Sequence, residues 1–163
     1  MKIQRVWAMP SRHTFTIKPI RELLQKYKVG KNWIDPFAGE YSPAEITNDL
    51  NPAKPTQFHL EAIDFLKQLD GQYAGGLYDP PYSLRQIMEC YDEIGCRVDK
   101  KWATTKFYSE AKTYLANKIK PEGLCISFGW NTIGLGKKRG FEIIEVLVIS
   151  HGRLHNDTLV TVD

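Results

Sequence analysis

Apolar positions along the chain follow two rhythms. Ile20, Leu23, Leu24 and Tyr27 recur every three or four residues, the spacing of one helix face. Pro19 falls in the first turn, where its missing N–H is no loss. This predicts a helix from Lys18 to Lys28, ended by Gly30. A second helical run, Ala62, Ile63, Phe65, Leu66 and Leu69, stops at Asp70-Gly71. Further helices are expected over Leu84–Ile94 and Lys106–Ile119, the latter closed by Lys120-Pro121-Glu122-Gly123. Between them lie short apolar runs bounded by turn residues, which read as strands. They are Asn32–Asp35, Glu45–Leu50, Gln57–Leu60, Tyr73–Tyr78, Leu124–Trp130, Phe141–Ser150 and Asp157–Val162. The last two are joined by a short segment, His151–Asn156, and are expected to pair as an antiparallel hairpin. Met1–Thr16 shows neither rhythm and reads as irregular. Strands alternating with helices predict an α/β domain on a mainly parallel sheet.

Composition narrows the class. The 163 residues suit one domain, 1–163, with no linker or repeat to divide it. With 42% hydrophobic and 25% charged residues the chain is an ordinary globular one. Its net charge of +3 is compatible with a polyanionic partner. No apolar run is long enough to span a membrane, and Met1–Pro10 carries no leader-like apolar core, so a cytoplasmic location is expected. Cys90, Cys96 and Cys125 are odd in number and without CxxC spacing, which fits reduced thiols. His151 and His155 are four apart and Asp157 follows, but they fall in a loop rather than a helix and no fourth ligand is apparent, so no metal is expected.

The most informative stretch is Gly75-Gly76-Leu77-Tyr78-Asp79-Pro80-Pro81-Tyr82. An apolar strand runs into an acid, two prolines and an aromatic ring. Neither proline can donate to a ladder, so the strand stops and the chain leaves it extended and stiff. A carboxylate and a ring are displayed at the carboxyl end of a strand, where open α/β sheets bind ligands. Asp79 and the Pro80 carbonyl can accept the two N–H bonds of a planar amine, and Tyr82 can stack on its ring. Asp-Pro and Pro-Pro are also common turn punctuation, so the elbow gains meaning from what precedes it.

Asp35-Pro36-Phe37-Ala38-Gly39 places another acid just after a strand, and Gly39 permits close backbone approach. Asp49 ends the next predicted strand, where a carboxylate can accept both hydroxyls of a ribose. Glu61 ends the third and could accept from an adenine amino group. Each acid alone could be a solvated loop residue. Three at successive strand ends describe a nucleoside-shaped site beside Asp79.

Asp-Pro-Phe-Ala-Gly followed by Asp-Pro-Pro-Tyr resembles the S-adenosylmethionine-dependent adenine-N6 DNA methyltransferases. The resemblance covers most of the chain. It implies a three-layer α/β/α sandwich with a Rossmann-like, seven-stranded, mostly parallel sheet whose last strand is antiparallel. It implies S-adenosylmethionine as cofactor and duplex DNA with a flipped-out base as partner. Asn48-Asp49-Leu50-Asn51-Pro52 looks like the ribose-binding segment, which offers Asp49 and Asn51. Leu60-Glu61-Ala62 looks like the adenine-binding one, which offers Glu61 and Ala62. Thr14-Phe15-Thr16-Ile17-Lys18 sits where the family keeps an N-terminal cofactor motif, so Thr14, Phe15, Thr16 and Lys18 join Asp35, Phe37 and Gly39 as expected cofactor residues. Asp79, Pro80, Pro81 and Tyr82 would carry the chemistry. No cysteine nucleophile is needed.

Two departures stand out. Only nine residues, Pro36–Ala44, link the first two predicted strands, where the family usually carries a helix. Nine extended residues reach about 30 Å, enough to close the connection as a bare loop. There is also no room for a separate target-recognition domain. Ser83–Thr105, with Arg85, and the turn containing Lys137, Lys138 and Arg139 are the candidate DNA contacts, and a homodimer would be one way to add surface. A compact build of this kind suits a phage or mobile-element enzyme. An RNA base methyltransferase and a non-catalytic nucleic-acid-binding subunit are the alternative readings.

Overall fold

The structure, a computed structural model, describes residues 1–97, 105–152 and 155–163. In chain order the strands are β1 (Lys2–Trp7), β2 (Trp33–Asp35), β3 (Ile46–Thr47), β4 (Tyr73–Tyr78), β5 (Ile119–Gly129), β6 (Glu145–Ser150) and β7 (Thr158–Val162). The helices are α1 (Lys18–Lys26), α2 (Ala62–Gln68), α3 (Leu84–Glu93) and α4 (Thr105–Lys118). One seven-stranded sheet has the order β1-β6-β7-β5-β4-β2-β3. Its pairs are parallel except those of β7, which runs antiparallel to β5 and β6. The expected fold class and the terminal hairpin are therefore present.

Two buried clusters flank the sheet. On one face Ile20, Leu23 and Leu24 of α1 pack with Leu77, Ile126, Phe128, Ile149 and Val160. On the other Phe65 and Leu66 of α2 and Ala111 and Leu115 of α4 pack with Ile34, Tyr78 and Cys125. The helical spacing of these residues is what buries one stripe of each helix. The glycine pair of β4 has a packing cause. A Cβ at Gly75 would lie 2.7 Å from the Trp33 ring, and one at Gly76 would lie 2.8 Å from Leu115. The strand leading to Asp79 is pressed from both sides.

Several expected elements differ. Met1–Thr16 is not irregular throughout, because Lys2–Trp7 forms an edge strand parallel to β6. Its outward Ile3 and Trp7 are exposed while Val6 and Ala8 pack on the core, which hides the alternation behind basic residues. The expected strand Gln57–Leu60 shrinks to one bridge, Asn48 to Phe58. The Asn48 side chain takes over the pairing there, donating to the carbonyls of Pro36 and Leu60 and accepting from Leu60 N–H. Lys120–Gly123 does not end a helix as a turn but lies inside β5. The link from β2 to β3 holds no helix. It is closed by backbone bonds from Asn48 N–H to Asp35 and from Ala38 N–H to Asn48. Part of the Ser83–Thr105 segment, residues 98–104, lies outside the described residues.

Candidate active site

β2 and β4 are adjacent and parallel, so Asp35 and Asp79 leave the sheet on the same edge. Asp35 is fully buried. Its carboxylate accepts from Phe37 N–H at 2.9 Å and from the Ser42 hydroxyl at 2.6 Å. Burial pushes its pKa up to about 7, against the pull of those two donors. Asp35 thus organises the loop that stands in for a crossover helix. Gly39, at φ 59°, turns its N–H onto Asp49 at 3.1 Å. The other Asp49 oxygen accepts from Asn51 N–H at 2.8 Å.

Asp79 accepts from the Tyr82 hydroxyl. Burial raises its pKa to about 6, while hydrogen bonds from Tyr82 and Thr14 hold it down. Burial and the neighbouring carboxylate keep the Tyr82 hydroxyl protonated, so it stays a donor. The Ser83 side chain caps α3 by accepting from Gln86 N–H, and the Gln86 side chain accepts from Tyr82 N–H at 2.6 Å. The Pro-Pro elbow therefore runs straight into a capped helix.

Two cavities meet at this elbow. The first, about 180 Å³, is lined by Phe37, Asp49, Asn51, Glu61, Ala62 and Asp79, among others. With Pro81, seven of the expected site residues come together there. The helix α3 is drawn onto it by two bonds: Tyr91 donates to Glu61 at 2.6 Å and Asn51 donates to Glu93 at 3.3 Å. Burial raises the pKa of Glu61, and the Tyr91 bond opposes that. Tyr91, Glu93 and Phe107 were not anticipated. For Tyr91 and Glu93 the signal available was position, since α3 begins immediately after the elbow. The second cavity, about 610 Å³, is lined by Pro80, Tyr82, Lys112 and Trp130, among others. Asp79 faces the first cavity and Tyr82 the second, with Pro81 on the wall of both.

The remaining expected residues lie elsewhere. Phe15 is core, edge-on to Phe128 at 5.4 Å. Thr16 is exposed and donates to His13 C=O at 2.8 Å. Lys18 is exposed and pairs with Glu22. Of that segment Thr14 alone reaches the elbow. Arg85 is exposed beside Glu89. Lys137 and Lys138 are exposed on a single turn, with Lys137 3.9 Å from Glu142. Arg139 is committed internally, donating to Leu135 C=O, Ser109 C=O and Thr113 Oγ1. Both ring nitrogens of His151 are engaged, with Ala8 C=O and Thr158.

Solved structures share this architecture. The chain aligns with the N-methyltransferase NodS from Bradyrhizobium japonicum over 94% of its own length and 97% of that chain, at 7% identity and a TM-score of 0.58. It aligns with the putative methyltransferase yhhF from Escherichia coli over 89% and 81%, at 12% identity and a TM-score of 0.56. The fold is that of the class I methyltransferases. A third neighbour with this methyltransferase fold is the magnesium protoporphyrin IX methyltransferase ChlM from Synechocystis, solved with bound SAM, at 12% identity and a TM-score of 0.52 over 89% of this chain and 77% of that one. No protein-family model and no curated protein sequence matches the chain. In this sheet the acids Asp35, Asp49 and Asp79 all fall at the carboxyl ends of β2 and β4 or just past β3.

Proposed function

We propose that the protein transfers a methyl group from S-adenosylmethionine to the exocyclic N6 of an everted adenine in DNA. The observation that carries this reading is the elbow between two cavities. Its carboxylate opens to one side and its aromatic ring to the other.

The first cavity fits the chemistry of the cofactor. Asp49 has one N–H on each oxygen, and a carboxylate offers about four acceptor positions, so it keeps capacity for ribose hydroxyls. Glu61 and Asn51 add polar contacts, and Phe37 and Ala62 supply apolar walls. The acidic, aromatic surround favours a cation, and Phe37 can contribute a cation–π contact. When bound, the cofactor supplies an electrophilic methyl on a sulfonium. The N-methyltransferase named among the structural neighbours also acts at nitrogen, which suits an acceptor with an N–H.

The chain's own residues then position the acceptor. Duplex adenine must leave its stack, at a cost of a few kcal/mol. Tyr82 recovers part of this by stacking, worth about 1–3 kcal/mol per base. Asp79 and the Pro80 carbonyl accept the two amine N–H bonds, which frees the nitrogen lone pair from the ring. Because the Tyr82 hydroxyl now occupies Asp79, that bond gives way as the amine arrives. Positioning is the main catalytic contribution.

Incubation with methyl-labelled cofactor and mixed-sequence DNA or RNA, followed by nucleoside analysis, tests the proposal. Label in N6-methyladenine from DNA is expected. Label confined to RNA, or to another base, would overturn the assignment.

A further inference from the structure

The sheet end beyond the elbow carries an aromatic residue that the reading above does not use. Trp130 follows the last residue of β5 and remains 46% exposed. It lies outside both buried clusters that flank the sheet. Its ring centroid is 5.7 Å from that of Tyr82, with the planes inclined at 56°, so the two rings touch without stacking. Both line the second cavity, and exposed Leu84 and Ile133 stand beside them at 56% and 64% exposure. Large apolar side chains gathered at one opening mark a binding site more often than a solvated surface. The cavity's volume of about 610 Å³ also falls within the roughly 300–1,000 Å³ of ligand sites.

The same cavity has a cationic side. The Lys112 ammonium is half-buried, donates to Gly134 C=O at 2.6 Å and lies over the Tyr78 ring at 5.3 Å. Its pKa is lowered by burial. Arg139 is the other cation on its wall, its guanidinium donating to Leu135 C=O and Ser109 C=O. Aromatic plates beside cations are the composition that binds unstacked bases joined by phosphates.

We infer that Trp130 is a second aromatic plate of the acceptor site, a positioning residue that holds an unstacked nucleobase against Tyr82. This rests on the proposed methyl transfer to an everted base and adds the residue beside Tyr82 that receives the base. Tyr82 is tied by its hydroxyl to Asp79 and by its N–H to Gln86. Trp130 has no such ties among the described hydrogen bonds, so it can adjust together with the Tyr82 ring, whose hydroxyl leaves Asp79, when a base enters.

The test compares the parent protein with Trp130→Ala and Trp130→Phe. Each is titrated with a single-stranded DNA oligonucleotide bearing one adenine among pyrimidines, and with the same strand carrying an abasic site at that position. Because Trp130 lies outside the core, all three proteins are expected to fold, and circular dichroism checks this. The parent is expected to prefer the adenine strand by about tenfold, the scale of one base stacked on an aromatic ring. Trp130→Ala should lose that preference and Trp130→Phe should keep most of it. An unchanged preference in Trp130→Ala, or no preference in the parent, would overturn the inference. Labelled methyl transfer by the parent is read in parallel. Trp130-dependent base preference without any transfer would leave the plate standing and remove the proposed activity.

Discussion

The two strand exits of the site begin with the same dipeptide, Asp-Pro, and use it for opposite ends. At the end of β2 the Asp35 carboxylate is sealed inside the protein and held by a backbone N–H and the Ser42 hydroxyl. Every one of its visible partners belongs to the loop it shapes. One strand over, the Asp79 carboxylate is held by hydroxyls of Tyr82 and Thr14, side chains that can rotate away. The first carboxylate is scaffold and the second is available to a ligand. An acid at a strand end is therefore not diagnostic of chemistry until its partners are known, and partners that can leave are what a ligand-accepting acid requires.

The strongest challenge to this contrast is removal of the second acid. Asp79→Ala is expected to lower methyl transfer by roughly 10³-fold while cofactor affinity, measured by calorimetry, stays within about twofold. Normal turnover would dissolve the distinction. Asp49→Ala probes the first loop, since Asp49 anchors Gly39 and faces the first cavity. Loss of one or two charge-assisted hydrogen bonds should weaken cofactor binding by roughly 10- to 100-fold, and an unaltered dissociation constant would remove Asp49 from the site.

Smaller effects sharpen the comparison. Asp79 accepts an N–H most strongly as the carboxylate, so kcat/KM should rise with pH through about 6, the value to which burial lifts this carboxyl. The Tyr82 hydroxyl opposes that lift. Tyr82→Phe should therefore move the acid limb to higher pH, and a limb that stays in place would show that the hydroxyl does not act on Asp79. Asp35 answers in stability instead. Its folded pKa of about 7 exceeds the ordinary 3.8, so between those values the native state binds more protons than the unfolded chain. The contribution of this carboxyl to stability consequently falls as pH rises from about 4 to about 7. Asp35→Asn escapes that loss, so its Tm relative to the parent should climb over the same window. A constant Tm difference would mean that Asp35 does not carry a raised pKa.

Much of this was legible in the sequence because it rests on local rules. Helical spacing of Ile20, Leu23 and Leu24 places α1, and the Pro-Pro pair ends β4 where it is expected. What escaped depends on partners distant in the chain. β1 is a strand because β6 offers a ladder to it, and its exposed Ile3 and Trp7 break the inward–outward alternation that would have announced it. Gln57–Leu60 has a strand's composition, yet beyond the backbone bonds of Phe58 the Asn48 amide takes the Leu60 bonds that a ladder would have made. Phe15 reads as a cofactor residue from its place in a motif, but the ring of Phe128, more than a hundred positions away, takes it into the core. Tyr91 and Glu93 join the first cavity through contacts with Glu61 and Asn51 that no spacing rule foretells.

The glycine pair in β4 leaves the strand behind Asp79 with no slack. A side chain at either position would collide with an indole or a leucine that is itself wedged in place. Someone redesigning this protein for a different acceptor would find almost no freedom in that strand. The stretch that begins at Trp130 and carries the exposed Ile133 tolerates change far better. On the proposed function, substitutions there would change the acceptor cavity and leave the strand behind Asp79 as it is.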